Sequence, residues 1–350
     1  MNYVIIFILT IISIINILGY SFGEFNMIKN VSAINFITGE KGFIVDSADK
    51  IWRTSDGGKT WSLSYELPTK GTDNYIRYIT MINQETAYVL GSTILKTNNG
   101  GNTWFKIPFP HGFDNKNVTS IGILFLNTKP SIYIGTSNLI YISSNDGNRW
   151  DKIIWPFEKE YVTSLYATAS SLMGGTSEGY IFASDIKGLS WKKVGENKSE
   201  GIVVNGKKIS SAPKGSWGII DLKIFPSGVG YSVNIAGGVS KTEDHGKTWK
   251  IIRCPDFQHD MIHMSSLIFN EKRVFIPYFG GDILYTHDGG KGWNRATVKL
   301  LNGEVSHEDF WSISMIDENK GWLPGFFGRF YKTEDGGKTW KQQTYRVIYK

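Results

Sequence analysis

The segment KTEDGGKTWK, Lys332–Lys341, decides the fold. Taken alone, its acids, paired glycines and tryptophan would suit a phosphate loop, a metal loop or a carboxylate active site. Its siblings remove that ambiguity. TSDGGKTW (Thr54–Trp61), TNNGGNTW (Thr97–Trp104), SSNDGNRW (Ser143–Trp150), SDIKGLSW (Ser184–Trp191), TEDHGKTW (Thr242–Trp249) and THDGGKGW (Thr286–Trp293) precede TEDGGKTW (Thr333–Trp340). All seven copies have Ser or Thr first, Gly fifth and Trp eighth; the third position is Asp four times, Asn twice and Ile186 once. Successive tryptophans stand 43, 46, 41, 58, 44 and 47 residues apart. Self-similarity at such a period marks an array of supersecondary units that bury their apolar faces against one another.

Each unit has the same grammar. In the last one FWSISMID (Phe310–Asp317), KGWLPGF (Lys320–Phe326) and GRFYKT (Gly328–Thr333) lead into the box, and KQQTYRV (Lys341–Val347) follows it. These are strand-length runs with period-two alternation, separated by turn residues. Four strands in 40 to 50 residues make one propeller blade. The sequence therefore predicts an all-β fold, a seven-bladed β-propeller with one box per blade, and no second domain. Seven blades in phase leave no strand to exchange between first and last, so the mode of ring closure is not written in the pattern. The interval of 58 contains the polar, glycine-rich stretch Val194–Gly218, expected as an extended loop entering the fifth blade.

Composition agrees with this reading. Of 350 residues, 41% are hydrophobic and 14% aromatic, with 39 Gly and 12 Trp, which favours short strands and tight turns. The net charge of +6 is spread without a dense basic run, so no nucleic-acid partner is expected. The single Cys254 rules out an internal disulfide framework and a cysteine-based zinc site. Residues 1–23 differ in kind: an apolar run from Tyr3 to about Leu18 leads to Ser21-Phe22-Gly23, which fits a signal peptide cleaved after Gly23. Residues 24–350 then form the single propeller, exported to a periplasmic, extracellular or lumenal space. A membrane is met only through the N-terminal segment, if it stays uncleaved as an anchor.

Within the box every feature has a local structural use. The fifth-position glycine supplies a positive φ, and the Asp or Asn at the third accepts bonds from the turn's amides. The hydroxyl at the first adds another bond, and the tryptophan opens the outer strand. The pattern resembles the Asp-box, or BNR repeat, S/T-x-D-x-G-x-T-W, of sialidases, xyloglucan-cleaving glycosidases, sortilin-type receptors and photosystem II assembly factors of the Ycf48 type. In that family the boxes are structural, on the face away from the ligand. The resemblance makes Asp56, Asn99, Asn145, Asp244, Asp288 and Asp335 turn-fixing residues. The fourth copy departs, with Ile186 at the Asp position and Asp185 before it.

Among these groups the chain is most similar to the Ycf48-like one. The upstream frame of that group appears here as KGFIVDSADKIWRTSDGG, YVLGSTILKTNNGG and KGWLPGFFGRFYKTEDGG, and the likeness covers about residues 27–345. It implies an exported, non-catalytic propeller that binds a protein partner as a scaffold or assembly factor, with no cofactor.

The alternative is a carbohydrate-active propeller, either a glycan-binding protein or a glycoside hydrolase. A sialidase needs an arginine clamp for the substrate carboxylate, and the F/Y-R-I-P motif that carries its first arginine is missing. Other glycosidases need two facing carboxylates. The inter-blade loops hold several, Glu304, Glu308 and Asp309 among them, but no pair is singled out, so no catalytic residue is assigned. HDMIH (His259–His263) spaces its two histidines for one helix face, whereas a loop running into a strand would not converge them, so no metal is expected. On the face opposite the boxes, aromatic residues of the inter-blade loops suit a partner interface. Those selected are Trp155, Phe157, Phe257, Phe310 and Trp311, each beside a Pro or an acid.

Overall fold

The computed structural model describes residues 28, 30–67, 76–113, 118–126, 129–168, 170–197, 202–204, 207–209, 217–253, 265–278 and 280–348. Phe257, the HDMIH segment and the N-terminal segment 1–23 lie outside the described residues. Blade 1 is β1 (Val31–Phe36), β2 (Gly42–Asp46), β3 (Lys50–Thr54) and β4 (Thr60–Glu66). Blade 2 is β5 (Ile76–Met81), β6 (Ala87–Gly91), β7 (Ile94–Thr97) and β8 (Phe105–Ile107), and blade 3 is β9 (Ser120–Leu126), β10 (Lys129–Gly135), β11 (Leu139–Ser143) and β12 (Asp151–Ile154). Blade 4 is β13 (Val162–Ala167), β14 (Ser171–Thr176), β15 (Tyr180–Asp185) and β16 (Lys192–Glu196). A separate hairpin of β17 (Ile202–Val204) and β18 (Lys207–Ile209) stands in the long insertion. Blade 5 is β19 (Ile219–Ile224), β20 (Gly230–Asn234), β21 (Val239–Thr242) and β22 (Lys250–Arg253). Blade 6 is β23 (Leu267–Ile268), β24 (Val274–Pro277), β25 (Ile283–Thr286) and β26 (Asn294–Arg295). After β27 (Thr297–Lys299), blade 7 is β28 (Ser314–Met315), β29 (Gly321–Pro324), β30 (Phe330–Thr333) and β31 (Thr339–Gln343), followed by β32 (Arg346–Ile348).

The fold is the seven-bladed β-propeller read from the repeats, each blade an antiparallel meander in chain order. Second strands such as GFIVD in β2, AYVLG in β6 and VFIP in β24 are buried from end to end. A strand covered on both faces loses the need for polar alternation and reads as a continuous apolar run. Each hydrophobic cluster belongs to two adjacent blades. Phe43, Val45 and Ile51 of blade 1 meet Ile79, Met81 and Val89 of blade 2, for instance. The boxes take part directly, because the fifth-position glycine faces the preceding blade. A Cβ on Gly101 would stand 2.6 Å from Phe43 Cε1, and one on Gly337 would stand 2.5 Å from Phe275 Cε1. Glycine there supplies both the positive φ and the close approach of two blades.

Ring closure uses the outer edge. β32 runs parallel to β4, pairing Val347 with Trp61, so the end of the chain becomes a fifth strand on blade 1. β27 does the same to β31 of blade 7, pairing Val298 with Trp340. These two blades bury their box tryptophans completely, with Trp61 and Trp340 both at 0% exposure. Trp104, Trp150, Trp191, Trp249 and Trp293, whose blades have four strands, are partly exposed. On the inner side the Phe36 ring stacks on Trp322 of blade 7 at 3.8 Å, with 5° between the planes. Ser314 Oγ accepts from Phe36 N at 2.9 Å, and Trp322 Nε1 donates to Gly57 O at 2.9 Å.

Candidate functional site

The boxes lie in the turn between the third and fourth strand of each blade, on the same end of the sheet as the turn between the first and second. In the first box Thr54 Oγ1 donates to Asp56 Oδ1 at 2.8 Å and accepts from Gly58 N at 3.0 Å. Thr60 N donates to the same carboxylate oxygen at 2.9 Å, and Thr60 Oγ1 to the other at 2.7 Å. Asp244, Asp288 and Asp335 occupy equivalent turns, accepting from Thr248 N, Gly292 N and Thr339 N. Asn99 and Asn145 accept from Thr103 N and Arg149 N through their amide oxygens. Partial burial works to raise the Asp244 carboxyl, but the bonds from Thr248 and Thr242 outweigh it and hold the group at about 2.

The fourth box is rebuilt around the preceding residue. Asp185 accepts from Lys187 N and Ser190 Oγ, both at 2.8 Å, while Ser184 Oγ accepts from Ser190 N at 2.9 Å. The Ser190 hydroxyl is the main cause that keeps the Asp185 carboxyl below its ordinary range. Ile186, freed from the turn, packs against the blade 3–blade 4 core.

Opposite the boxes lie the turns between second and third strands and the segments that pass from blade to blade. Trp155 sits there but is only 2% exposed. Its backbone N donates to Asn138 O at 2.9 Å, as Leu67 N does to Asp49 O and Asn197 N to Gly179 O. The chain therefore continues the ladder for one residue past the outer strand, and the side chain turns inward. There Trp155 meets Phe157, Phe182 and Trp191 at 5.1, 5.7 and 4.8 Å. Phe157 lies against Phe182 at 3.9 Å and is partly buried. Phe310, 2% exposed, bridges to Gly325 and meets Tyr331 edge-on at 5.7 Å. Trp155 and Phe310 are thus core residues, and neither offers a ring to a partner.

Trp311 is different. Half-buried, it lies 5.3 Å from Phe326, which is 5.4 Å from Phe327, and Phe327 is 58% exposed. The Arg329 guanidinium stands 5.7 Å from the Phe327 ring. Leu301 and Val305 of the segment entering blade 7 are 63% and 50% exposed. The turn that carries Phe326 and Phe327 is held from beneath by Glu308, a buried carboxylate. Glu308 accepts from Phe327 N at 3.1 Å and from Tyr331 Oη, and lies 3.6 Å from Arg329. Asp309 Oδ1 accepts from Gly280 N at 2.7 Å, and Asp309 O from Phe326 N at 3.0 Å. A tyrosine beside a glutamate could in principle make a nucleophile, but both are buried beneath the 325–329 turn, so the pair fixes that turn. The sequence signal for this patch was PGFFGR, two consecutive aromatics in a turn.

Two further polar groupings stand elsewhere. On the inner strand of blade 5, Asp221 accepts from Ser266 Oγ at 3.0 Å, and burial pushes its carboxyl up against that bond and the charge of Lys223. Between blades 4 and 5, on the box face, lies a groove of about 860 Å³. Phe125, Tyr166, Met173, Phe225 and Pro226 line its apolar part; Lys192, His245 and Lys247 stand at its rim. The sequence pointed to the opposite face and gave no sign of this groove.

Residues 19–156 and 217–344 match the protein family described as photosynthesis system II assembly factor YCF48. Over 112 residues the chain is 30% identical to photosystem II stability/assembly factor HCF136, chloroplastic, of Oryza sativa subsp. japonica, covering 30% of this chain and 26% of that protein. The match thus spans about a quarter of that relative's length. A solved structure of YCF48 bound to D1 peptide superposes with a TM-score of 0.58 and 15% identity, covering 89% of this chain and 92% of that one. YCF48 from Cyanidioschyzon merolae does so with a TM-score of 0.60 and 15% identity, over 88% and 97% of the two chains. At that identity these two structures speak to the fold alone.

Proposed function

The chain belongs to the photosynthesis system II assembly factor YCF48 family, and on that premise we propose that it is an exported, non-catalytic scaffold that holds a protein partner during assembly of a larger complex. The observation that carries the reading is the group of Trp311, Phe326 and Phe327 on the face away from the boxes, with Arg329 beside it. Aromatic and arginine side chains on a rigid turn are the usual anchors of a protein interface, since they bring large contact area at low cost in conformational entropy. The support from Glu308 and Asp309 fixes that turn before a partner arrives, which lowers the ordering cost of binding. The D1 peptide held by one YCF48 structure supports a protein as the partner class. Residues 1–23 would carry the chain across a membrane and be removed, leaving residues 24–350 as the working propeller on the lumenal, periplasmic or extracellular side.

The test is capture of the partner from the exported fraction by cross-linking and mass spectrometry, then affinity measurement with the variant carrying both Trp311→Ala and Phe327→Ala. Loss of two aromatic anchors should weaken the complex roughly ten- to thirtyfold. Affinity equal to that of the unaltered protein, at unchanged melting temperature, would sink the assignment of this face.

A further inference from the structure

Three irregularities of an otherwise regular ring coincide between blades 4 and 5. The interval of 58 residues falls there, the box with Ile186 in place of Asp closes blade 4, and the core shared by the two blades is reduced to Met173, Ile181, Ala183, Ile219, Leu222 and Ile224. The space at the seam of blades 1 and 2 is about 320 Å³, whereas this seam leaves a groove of about 860 Å³. That is within the size range of built ligand sites, and larger than the roughly 300 Å³ at its lower end. Its floor is fixed: Tyr166 Oη donates to Ile224 O at 2.5 Å, tying the inner strands of the two blades together. Gly246 closes against Met173 so tightly that a Cβ would stand 2.1 Å from Met173 Cε, and methionine gives the floor an adaptable surface.

Charge selects the occupant. Lys192 and Lys247 are exposed at the rim, and neither is in an ion pair with a described residue. The carboxylate on the lining, Asp185, stays anionic in the rebuilt turn, where Lys187 N and Ser190 Oγ donate to it, and the two ammonium groups outnumber it. Phe125, 52% exposed, offers an apolar wall, and Leu189, 80% exposed in the fourth box, stands next to the lining residue Ser190. We infer that this groove is a second binding site, on the box face, for an extended acidic peptide with apolar side chains: apolar groups against Phe125 and Tyr166, carboxylates toward Lys192 and Lys247. The rebuilt fourth box is then part of the site, because its turn holds the Asp185 carboxylate on Lys187 N and Ser190 Oγ, and the rim sets two ammonium groups against that one carboxylate. This site stands independently of the Trp311 patch on the other face.

The probe is a fluorescently labelled peptide alternating leucine with aspartate, with a leucine–lysine counterpart, read by anisotropy against the full mature chain. The acidic peptide should bind and the basic one should not, with affinity falling as salt rises. The variant carrying Lys192→Glu and Lys247→Glu should lose at least about tenfold, as expected of reversing two complementary charges. Phe125→Ser, which alters an exposed wall, should weaken the complex severalfold without shifting the melting temperature. Hydrogen exchange on adding peptide should slow in residues 166–171 and 224–228. Trp311→Ala with Phe327→Ala should leave this binding unchanged, so failure here and failure at the opposite face are read separately. Equal binding of both peptides, no binding at millimolar concentration, or indifference to the charge reversal would overturn the inference. So would a groove variant that loses sedimentation with anionic phosphatidylglycerol vesicles while keeping its peptide affinity.

Discussion

The seam between blades 7 and 1 and the seam between blades 4 and 5 come from the same repeat but are built to different ends. At the first, Phe36 stacks on Trp322, Ser314 bonds the backbone of blade 1, and β32 lies along β4. At the second, six buried residues share the interface with an open groove. The difference follows from chain connectivity. Blades 4 and 5 are joined by the polypeptide itself, whereas blades 7 and 1 meet from the two ends of the propeller. Bringing those ends together closes a loop the size of the domain, and only local contacts can offset that entropy. A seam with a covalent link can leave space for a ligand; a seam without one has to be packed.

The largest effect should appear at the closing seam. Phe36→Ala removes a ring stacked on Trp322 and edge-on to Trp61 at 6.0 Å, in a site the backbone cannot collapse to fill. We expect a loss of about 3–5 kcal/mol, the usual range for phenylalanine truncation in a core. Met173→Ala at the other seam should cost about 2 kcal/mol, the low end for its class, since the adjoining groove lets neighbours relax. Urea denaturation of both variants checks the order. A greater loss at Met173 would break the account of the two seams.

The blade pattern was legible because it is local and repeated: box, turn and alternation recur within each unit, and every copy reinforces the others. What escaped depends on register or on distance. Trp155 reads as a loop aromatic beside a proline, but one more ladder bond, from its N to Asn138 O, turns it into the core. Its place five residues after the box tryptophan, close to that of Leu67 in blade 1, was the only available sign. Phe310 was hidden in the same way by its bridge to Gly325. β32 is three residues with no strong alternation, and its partner lies almost the whole chain away. Trp311 was legible as a partner-facing candidate, while its aromatic neighbours Phe326 and Phe327 come from a different segment. The groove has no local signature, since it arises from what two blades fail to fill.

The boxes at the two seams provide an intermediate test. Asp56 and Asp244 hold the same turn bonds, but the turn of Asp56 also presents the Gly57 carbonyl that receives Trp322 Nε1. Asp244→Ala should cost on the order of 1 kcal/mol for its turn bonds, and Asp56→Ala more, because a cross-seam bond loosens with it. The pH dependence has a definite sign. The Asp244 carboxyl lies at about 2 in the folded chain, below the roughly 3.9 of an unfolded aspartate. Its contribution is therefore complete above about pH 4 and is lost as the pH falls toward 2. Denaturation midpoints measured down this range should converge for Asp244→Ala and the unaltered chain; midpoints that stay apart at the acid end would contradict the turn assignment.

The smallest effect is the most pointed, because it restores the repeat. Ile186→Asp returns the fourth box to the pattern of its siblings and, if the box were a self-contained motif, would stabilise it. The structure argues otherwise. Asp185 already accepts from Lys187 N and Ser190 Oγ, so a second carboxylate finds no free donor in that turn and adds a like charge beside the first. Ile186 meanwhile packs against the cluster around Trp155 and Phe182, and that apolar contact is lost. The substitution should leave stability unchanged or lower it by up to about 1 kcal/mol, the scale of losing part of a half-buried apolar side chain. It should also weaken the acidic peptide, since a negative charge enters beside the groove. A gain in melting temperature with undiminished peptide affinity would mean that the fourth box is merely a decayed copy and that the open seam beside it has no charge preference of its own.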